Sequence, residues 1–115
     1  MVGAKNATFP KEGISRQYAG EVVKKIWSTA SRLGYDRYFI NVDGPAITDD
    51  HLPVNKHAKI PMVDIVHLQV NNREHTFFEH WHTTHDGLDK IDPETLKAVG
   101  QTVLQVLYDE ASPVM

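Results

Sequence analysis

The chain has 115 residues, with 12 Lys and Arg against 15 Asp and Glu for a net charge of −3, and is 41% hydrophobic and 23% charged. This is the size of one domain, and the balance excludes a disordered or collagen-like chain. No basic field exists to draw in nucleic acid or an anionic membrane, and no apolar run approaches the ~20 residues of a membrane span.

Cysteine is absent, which excludes disulfides and thiolate metal sites. The start, Met1-Val2-Gly3-Ala4-Lys5, lacks the charged head and apolar stretch of a signal peptide. Histidine is over-represented at seven, and four of them (His75, His80, His82, His85) lie close together.

Residues 1–14 carry Gly3, Pro10 and Gly13 without periodicity and read as an irregular lead-in. Ser15 is positioned as an N-cap. Behind it Ala19, Val22, Val23, Ile26, Ala30 and Leu33 recur at spacings of three and four, one apolar stripe of a helix. Gly34 closes that helix because it adopts the left-handed conformation without a Cβ clash. Tyr38 to Val42 is β-branched and aromatic and stops at Gly44-Pro45, as a short buried strand would. Asp49 or Asp50 then caps a short helical element running to about His57, limited by Pro53. Met62 to Leu68 reads as a second strand, nearly continuous in apolar residues, and residues 69–90 as a long loop. Asp92-Pro93-Glu94 starts a last helix whose buried face is Leu96, Val99, Val103, Val106 and Leu107, ending near Glu110 before a frayed tail. Two strands joined by crossovers predict a parallel α/β layer, and two are few enough that part of the sheet is expected outside the chain.

Two segments carry candidate chemistry. Thr48-Asp49-Asp50-His51-Leu52-Pro53 follows a strand and a turn, where α/β sheets present ligands; adjacent carboxylates raise one another's pKa unless a cation or donors compensate. The plainer role for Asp49 or Asp50 is a helix cap. His80-Trp81-His82-Thr83-Thr84-His85-Asp86 offers imidazole and carboxylate donors suited to zinc, although its spacing matches no established signature and surface loops also collect histidines. Phe77, Phe78 and Trp81 serve equally as packing. There is no nucleophile elbow, phosphate-binding glycine loop or His-Glu-x-x-His pair.

Ile47 to Pro53, then Ile60-Pro61-Met62-Val63-Asp64-Ile65, then Trp81-His82-Thr83 and Ile91-Asp92-Pro93-Glu94-Thr95-Leu96 resemble, in order and spacing, the C-terminal part of a zinc-dependent family. That family holds the metallo-aminopeptidases and the animal-type glutaminyl cyclases, with bacterial members close to the cyclase branch. The resemblance implies a piece of a three-layer α/β/α zinc-exopeptidase-like fold, with residues 1–115 as one α/β segment from the C-terminal portion of a larger catalytic domain. It implies His82 as a zinc ligand, Trp81 and Phe77 as substrate-pocket aromatics, and Asp49 as a member of the acidic network that handles substrate protons. Asp64 stands where animal cyclases tend to have histidine. The family's other zinc ligands and its general acid/base come before the stretch that Met1 begins, so the chain alone is expected to be catalytically silent. The parent's implied reaction is zinc-assisted attack at a peptide or protein N-terminus: cyclisation of glutamine, or removal of the first residue by an aminopeptidase. Its implied location is secreted or periplasmic. The missing N-terminal part of the same domain is the implied partner, and an exposed sheet edge predicts self-association. Two readings from other classes remain: a stand-alone binding module using the loop aromatics, and a local metal-binding loop of His80, His82 and His85.

Overall fold

A computed structural model describes residues 2–68 and 87–111. Its regular elements are helix α1 (Gly13–Arg32), a short helix α2 (His51–Pro53) running directly into a π-helical turn (Val54–Ala58), a 3₁₀ turn (Leu88–Lys90) and helix α3 (Pro93–Ala111).

Helix α1 follows the apolar stripe: Ala19, Val23, Ile26 and Ala30 are buried, and Gly34 has the left-handed φ of 85° at its end. Its start is a correction. Glu12, not Ser15, is the cap, with its carboxylate accepting from the amides of Ile14 and Ser15. Two oxygens on a longer side chain satisfy two of the free first-turn N–H groups at once, where a hydroxyl would satisfy one.

The core lies where α1 meets residues of the lead-in. Phe9 is completely buried, 5.3 Å from Phe39 between ring centroids, and Trp27 meets Phe39 edge-on at the same separation. The Trp27 indole N–H donates to the Phe9 carbonyl at 3.1 Å, so the tryptophan is buried without a stranded donor. The segment expected to be an irregular lead-in thus supplies the centre of the core.

The expected mostly parallel sheet is not found. Among the described residues there is no strand, only two isolated bridges, Ala4 with Ile91 and Lys11 with Asp43. The reason is visible in the hydrogen bonds. The Phe9 amide donates to Tyr38 and the Lys11 amide to Val42, so two residues on one segment span four on the other and the register breaks. Pro10, between them, has no N–H to give. In the second expected strand, the Met62 amide donates to Asn55 Oδ1 and the Asp64 amide to Ser15 Oγ, leaving Leu68 to Thr8 as its backbone contact. Side chains have taken the donors that a ladder would use.

Helix α3 begins as read, with Asp92 Oδ1 accepting from the Glu94 amide at 3.0 Å. Its inward face is rotated from the expected one. Thr95, Ala98 and Thr102 are buried and the expected Val99 and Val106 are half-buried against the core, while Leu96, Val103 and Leu107 are exposed. The Thr95 hydroxyl donates to the Ala4 carbonyl at 2.9 Å, and small residues let the backbones approach there. No helix among the described residues is long and apolar enough to cross a membrane.

Candidate functional site

The start of α1, the turn at residues 45–51 and the extended residues 62–66 converge on one buried carboxylate. Glu12 has no exposed surface and accepts five hydrogen bonds. Oε2 takes the amides of Ile14 and Ile47, both at 2.8 Å. Oε1 takes the Ser15 amide and hydroxyl at 2.8 Å and faces His51 Nε2 at 2.7 Å. Burial pushes the Glu12 pKa up, but the backbone donors Ile47, Ile14 and Ser15 with the Ser15 hydroxyl outweigh it, and the net shift is downward. Glu12 is therefore ionised at neutral pH, and His51 Nε2 donates to it.

Close approach of backbone makes this geometry possible. At Gly13 an added Cβ would sit 2.7 Å from the Ala46 nitrogen, so only glycine lets the 45–47 turn bring the Ile47 amide against Glu12. On the other side Asn55 donates to the carbonyls of His51 and Met62, both at 2.8 Å, which pins the π-helical turn to the extended segment.

The second nitrogen of the buried His51 ring, Nδ1, lies 3.7 Å from Asp64 Oδ2, and neither atom has a hydrogen-bond partner. Asp64 is half-buried and lies near the exposed Asp49. Desolvation by burial and the neighbouring Asp49 push the Asp64 pKa up to about 6, against a smaller opposing pull from His51. Asp49 moves down, held first by the Asp50 amide and then by its neighbour Asp64. The result is a row of ionisable groups, Glu12, His51, Asp64 and Asp49, running from the interior to solvent, hydrogen-bonded between Glu12 and His51 and open by 3.7 Å between His51 and Asp64. Such a row sets a pair of carboxyl groups of unequal acidity at its outer end, with the outer carboxylate held by the Asp50 amide.

Of the residues singled out from the sequence, Asp49 is in this network, though neither it nor Asp50 acts as a side-chain cap for α2. Instead Asp49 accepts from the amide of its neighbour Asp50 at 2.8 Å. Phe77, Trp81 and His82, with His80 and His85, lie outside the described residues. Sequence reasoning missed Glu12 altogether and saw Asp64 only as a departure from a pattern. The available signal for Glu12 was an acid three residues before Ser15 at the head of a periodic run, a capping arrangement with its partners reversed. Among the described residues no three His, Asp or Glu side chains are grouped to hold a metal ion. Both His51 nitrogens face carboxylates, so the described residues do not by themselves form a zinc site.

A buried acid and imidazole backing an exposed carboxylate is an acid–base arrangement of the kind hydrolases and acyl-transfer enzymes use. The chain belongs to peptidase family M28, whose profile matches residues 1–107. Among solved structures it is similar to the glutaminyl cyclase of Porphyromonas gingivalis, at 48% identity and a TM-score of 0.91, over 96% of this chain and 40% of that one. It is similar to a Zn-dependent exopeptidase from Parabacteroides distasonis, at 50% identity and a TM-score of 0.90, over 95% of this chain and 37% of that one. A leucine aminopeptidase precursor from Bacteroides thetaiotaomicron matches at 48% identity and a TM-score of 0.85, over 95% of this chain and 35% of that one. The chain thus spans about two fifths of the length of such structures or less. No curated protein matches it. The resemblance drawn from the sequence is borne out at the level of family.

Proposed function

We propose that these residues form one part of a zinc-dependent enzyme acting on peptide N-termini, of the glutaminyl-peptide cyclotransferase type, and that the chain alone is inactive. The observation that carries the reading is Asp49: an exposed carboxylate held by the Asp50 amide at 2.8 Å, in a chain 48% identical to a glutaminyl cyclase. Cyclising an N-terminal glutamine requires a proton to leave the attacking α-amine and another to reach the departing ammonia. A carboxylate that is exposed yet fixed in orientation suits that transfer. His82 is the proposed zinc ligand, and Trp81 and Phe77 the proposed pocket aromatics, on the resemblance of Trp81-His82-Thr83 to the family. Catalytic zinc takes about three protein ligands, so a single histidine would leave the chain unable to retain the metal.

The second reading, an aminopeptidase, is favoured by the match to the B. thetaiotaomicron leucine aminopeptidase precursor. Ammonia release from a peptide beginning with glutamine separates the two from hydrolysis of the first peptide bond. The 115-residue chain is expected to show neither above a His82→Ala control. A polypeptide extending it over the remaining length of its solved relatives is expected to release ammonia when zinc is supplied. Asp49→Asn should cost it about 10²–10⁴ in rate, the usual weight of a general acid–base group. Release of the first amino acid without ammonia would replace the cyclase reading, and turnover by the 115-residue chain would overturn the claim of inactivity.

A further inference from the structure

We propose that Glu12 is a positioning residue for Asp49: its one carboxylate grips the chain two residues before Asp49 and two residues after it, and so closes the turn that presents that acid. The inference deepens the reading above and rests on it for what Asp49 does, whereas the clasp itself is read from hydrogen bonds.

Glu12 Oε2 accepts the Ile47 amide at 2.8 Å, and Oε1 accepts from His51 Nε2 at 2.7 Å. The exposed Thr48, Asp49 and Asp50 span the distance between those two anchors. Because both oxygens belong to one side chain, Ile47 and His51 are closed into a ring, and a segment that short between fixed ends has few conformations open to it. Within it the Asp49 carbonyl accepts the Leu52 amide at 3.0 Å, and Asp49 Oδ1 accepts the Asp50 amide at 2.8 Å. The direction of the Asp49 carboxylate is thus tied to the residues that follow it, and those are fixed at His51.

The anchor is itself immobile. Glu12 has no exposed surface, and its carboxylate also takes the amides of Ile14 and Ser15 at the head of α1. The approach to the turn is docked on the same helix start: the Gly13 amide donates to the Pro45 carbonyl at 3.1 Å, and the Arg16 guanidinium to the Gly44 carbonyl at 2.9 Å. Residues 44 and 45 are therefore held by backbone and arginine, and residues 47 and 51 by Glu12. A buried acid with no route to substrate acts on the exposed one through the backbone that joins its two anchors.

The test is NMR of the 115-residue chain across pH, reading the Asp50 amide proton and the Asp49 carboxyl carbon. It needs neither metal nor turnover, so its failure is distinct from failure of the cyclase reading. In the wild type the Asp50 amide proton should move downfield as Asp49 ionises, and Asp49 should titrate below its ordinary value. Two replacements of His51 separate positioning from the loss of the ring. Glutamine carries an N–H at the place of Nε2 and keeps the bond to Glu12, whereas asparagine ends at the place of Nδ1 and loses it. Both remove the imidazole and its charge, and both leave Asp64, the other ionisable neighbour of Asp49, in place. His51→Gln should keep the Asp50 shift; His51→Asn should lose at least half of it and return Asp49 toward the ordinary carboxylate range. Gly13→Ala, which displaces the Ile47 anchor instead, should lose it as well, so the result does not hang on one variant folding. Trp27→Phe weakens the core away from the turn and should leave both readouts as in the wild type. An Asp50 shift equal in His51→Asn and His51→Gln, or one that survives Gly13→Ala, would overturn the proposal. So would its loss in Trp27→Phe, since the readout would then follow stability alone.

Discussion

Replacing Glu12 with glutamine tests whether the buried carboxylate is the keystone of this corner of the fold. Glutamine preserves shape but offers one acceptor and two donors where glutamate offers two acceptors. With its NH₂ at the Oε2 position, the amides of Ile14 and Ile47 would both face a donor. With the NH₂ at the Oε1 position, the Ser15 hydroxyl can rotate and His51 can exchange its tautomer so that Nε2 accepts, leaving the Ser15 amide as the one stranded donor. The second arrangement is the cheaper. Stranding one buried amide costs about 1–3 kcal/mol, and converting the Ile14 and Ile47 bonds from charged to neutral costs about 1 kcal/mol each. Relief from burying an ion offsets part of this, for a net loss of about 3 kcal/mol. For a domain this size that corresponds to a fall in Tm on the order of 15 °C. Urea unfolding at pH 7 followed by far-ultraviolet circular dichroism measures it. A loss below about 1 kcal/mol would mean that the five hydrogen bonds at Glu12 contribute little, and would refute the reasoning.

Gly13→Ala should destabilise the chain by about 1–3 kcal/mol, since its Cβ would meet the Ala46 backbone at 2.7 Å and push the Ile47 amide off Glu12; the same urea experiment reads it. Trp27→Phe should lower stability by about 2 kcal/mol by removing the indole donor to the Phe9 carbonyl and leaving a void beside Phe39, seen as a lower urea midpoint with an unchanged slope. Stability should also peak at about pH 4 and decline from there toward pH 6. Glu12, lowered from 4.5 in the fold, contributes stability present above that value and lost as pH falls through its folded value. Asp64, raised from 3.8 to about 6, has the opposite sign: stability falls as pH rises across that interval and levels off above it. The upper limb amounts to at most about 3 kcal/mol, and thermal unfolding across the pH range should show it shrink in Asp64→Asn.

The helices were legible because their signals are local. The stripe from Ala19 to Ala30 and the Asp92-Pro93-Glu94 start each depend on neighbours a turn away. What failed was whatever depended on a partner distant in sequence. The cap moved from Ser15 to Glu12 because the carboxylate is also recruited by Ile47 and His51, more than thirty residues on. The inward face of α3 turned because Thr95 finds the Ala4 carbonyl, a preference for small polar residues that hydrophobicity alone ranks wrongly. Strand propensity in Tyr38–Val42 and Met62–Leu68 describes a fit to a pleated surface, and the pleat depends on who supplies the next hydrogen bond. At the site, Asp49 was singled out by its motif, whereas the one signal for Glu12, a reversed capping arrangement with Ser15, is local and says nothing of Ile47 or His51.

The missing ladder and the network at Glu12 have a common cause. The amide of Ile47 goes to Glu12, that of Asp64 to Ser15, and that of Met62 to Asn55. Each is a backbone donor in an extended segment that a continuous sheet would have given to a neighbouring carbonyl. Directed at side chains, these donors stabilise a buried negative charge, orient Ser15 and place Asp64 beside Asp49. Glu12 also caps the first turns of α1, ahead of the break at the non-helical Ala19 (φ −133°), where the free amides favour an anion. The same helix carries Val23, Ile26, Trp27 and Ala30 into the core. The Asp64 backbone is thus anchored, through Ser15 and Glu12, to the helix that carries much of the core. A buried carboxylate and the half-buried acid near it acquire fixed positions because the backbone around them gave up regular pairing to hold them.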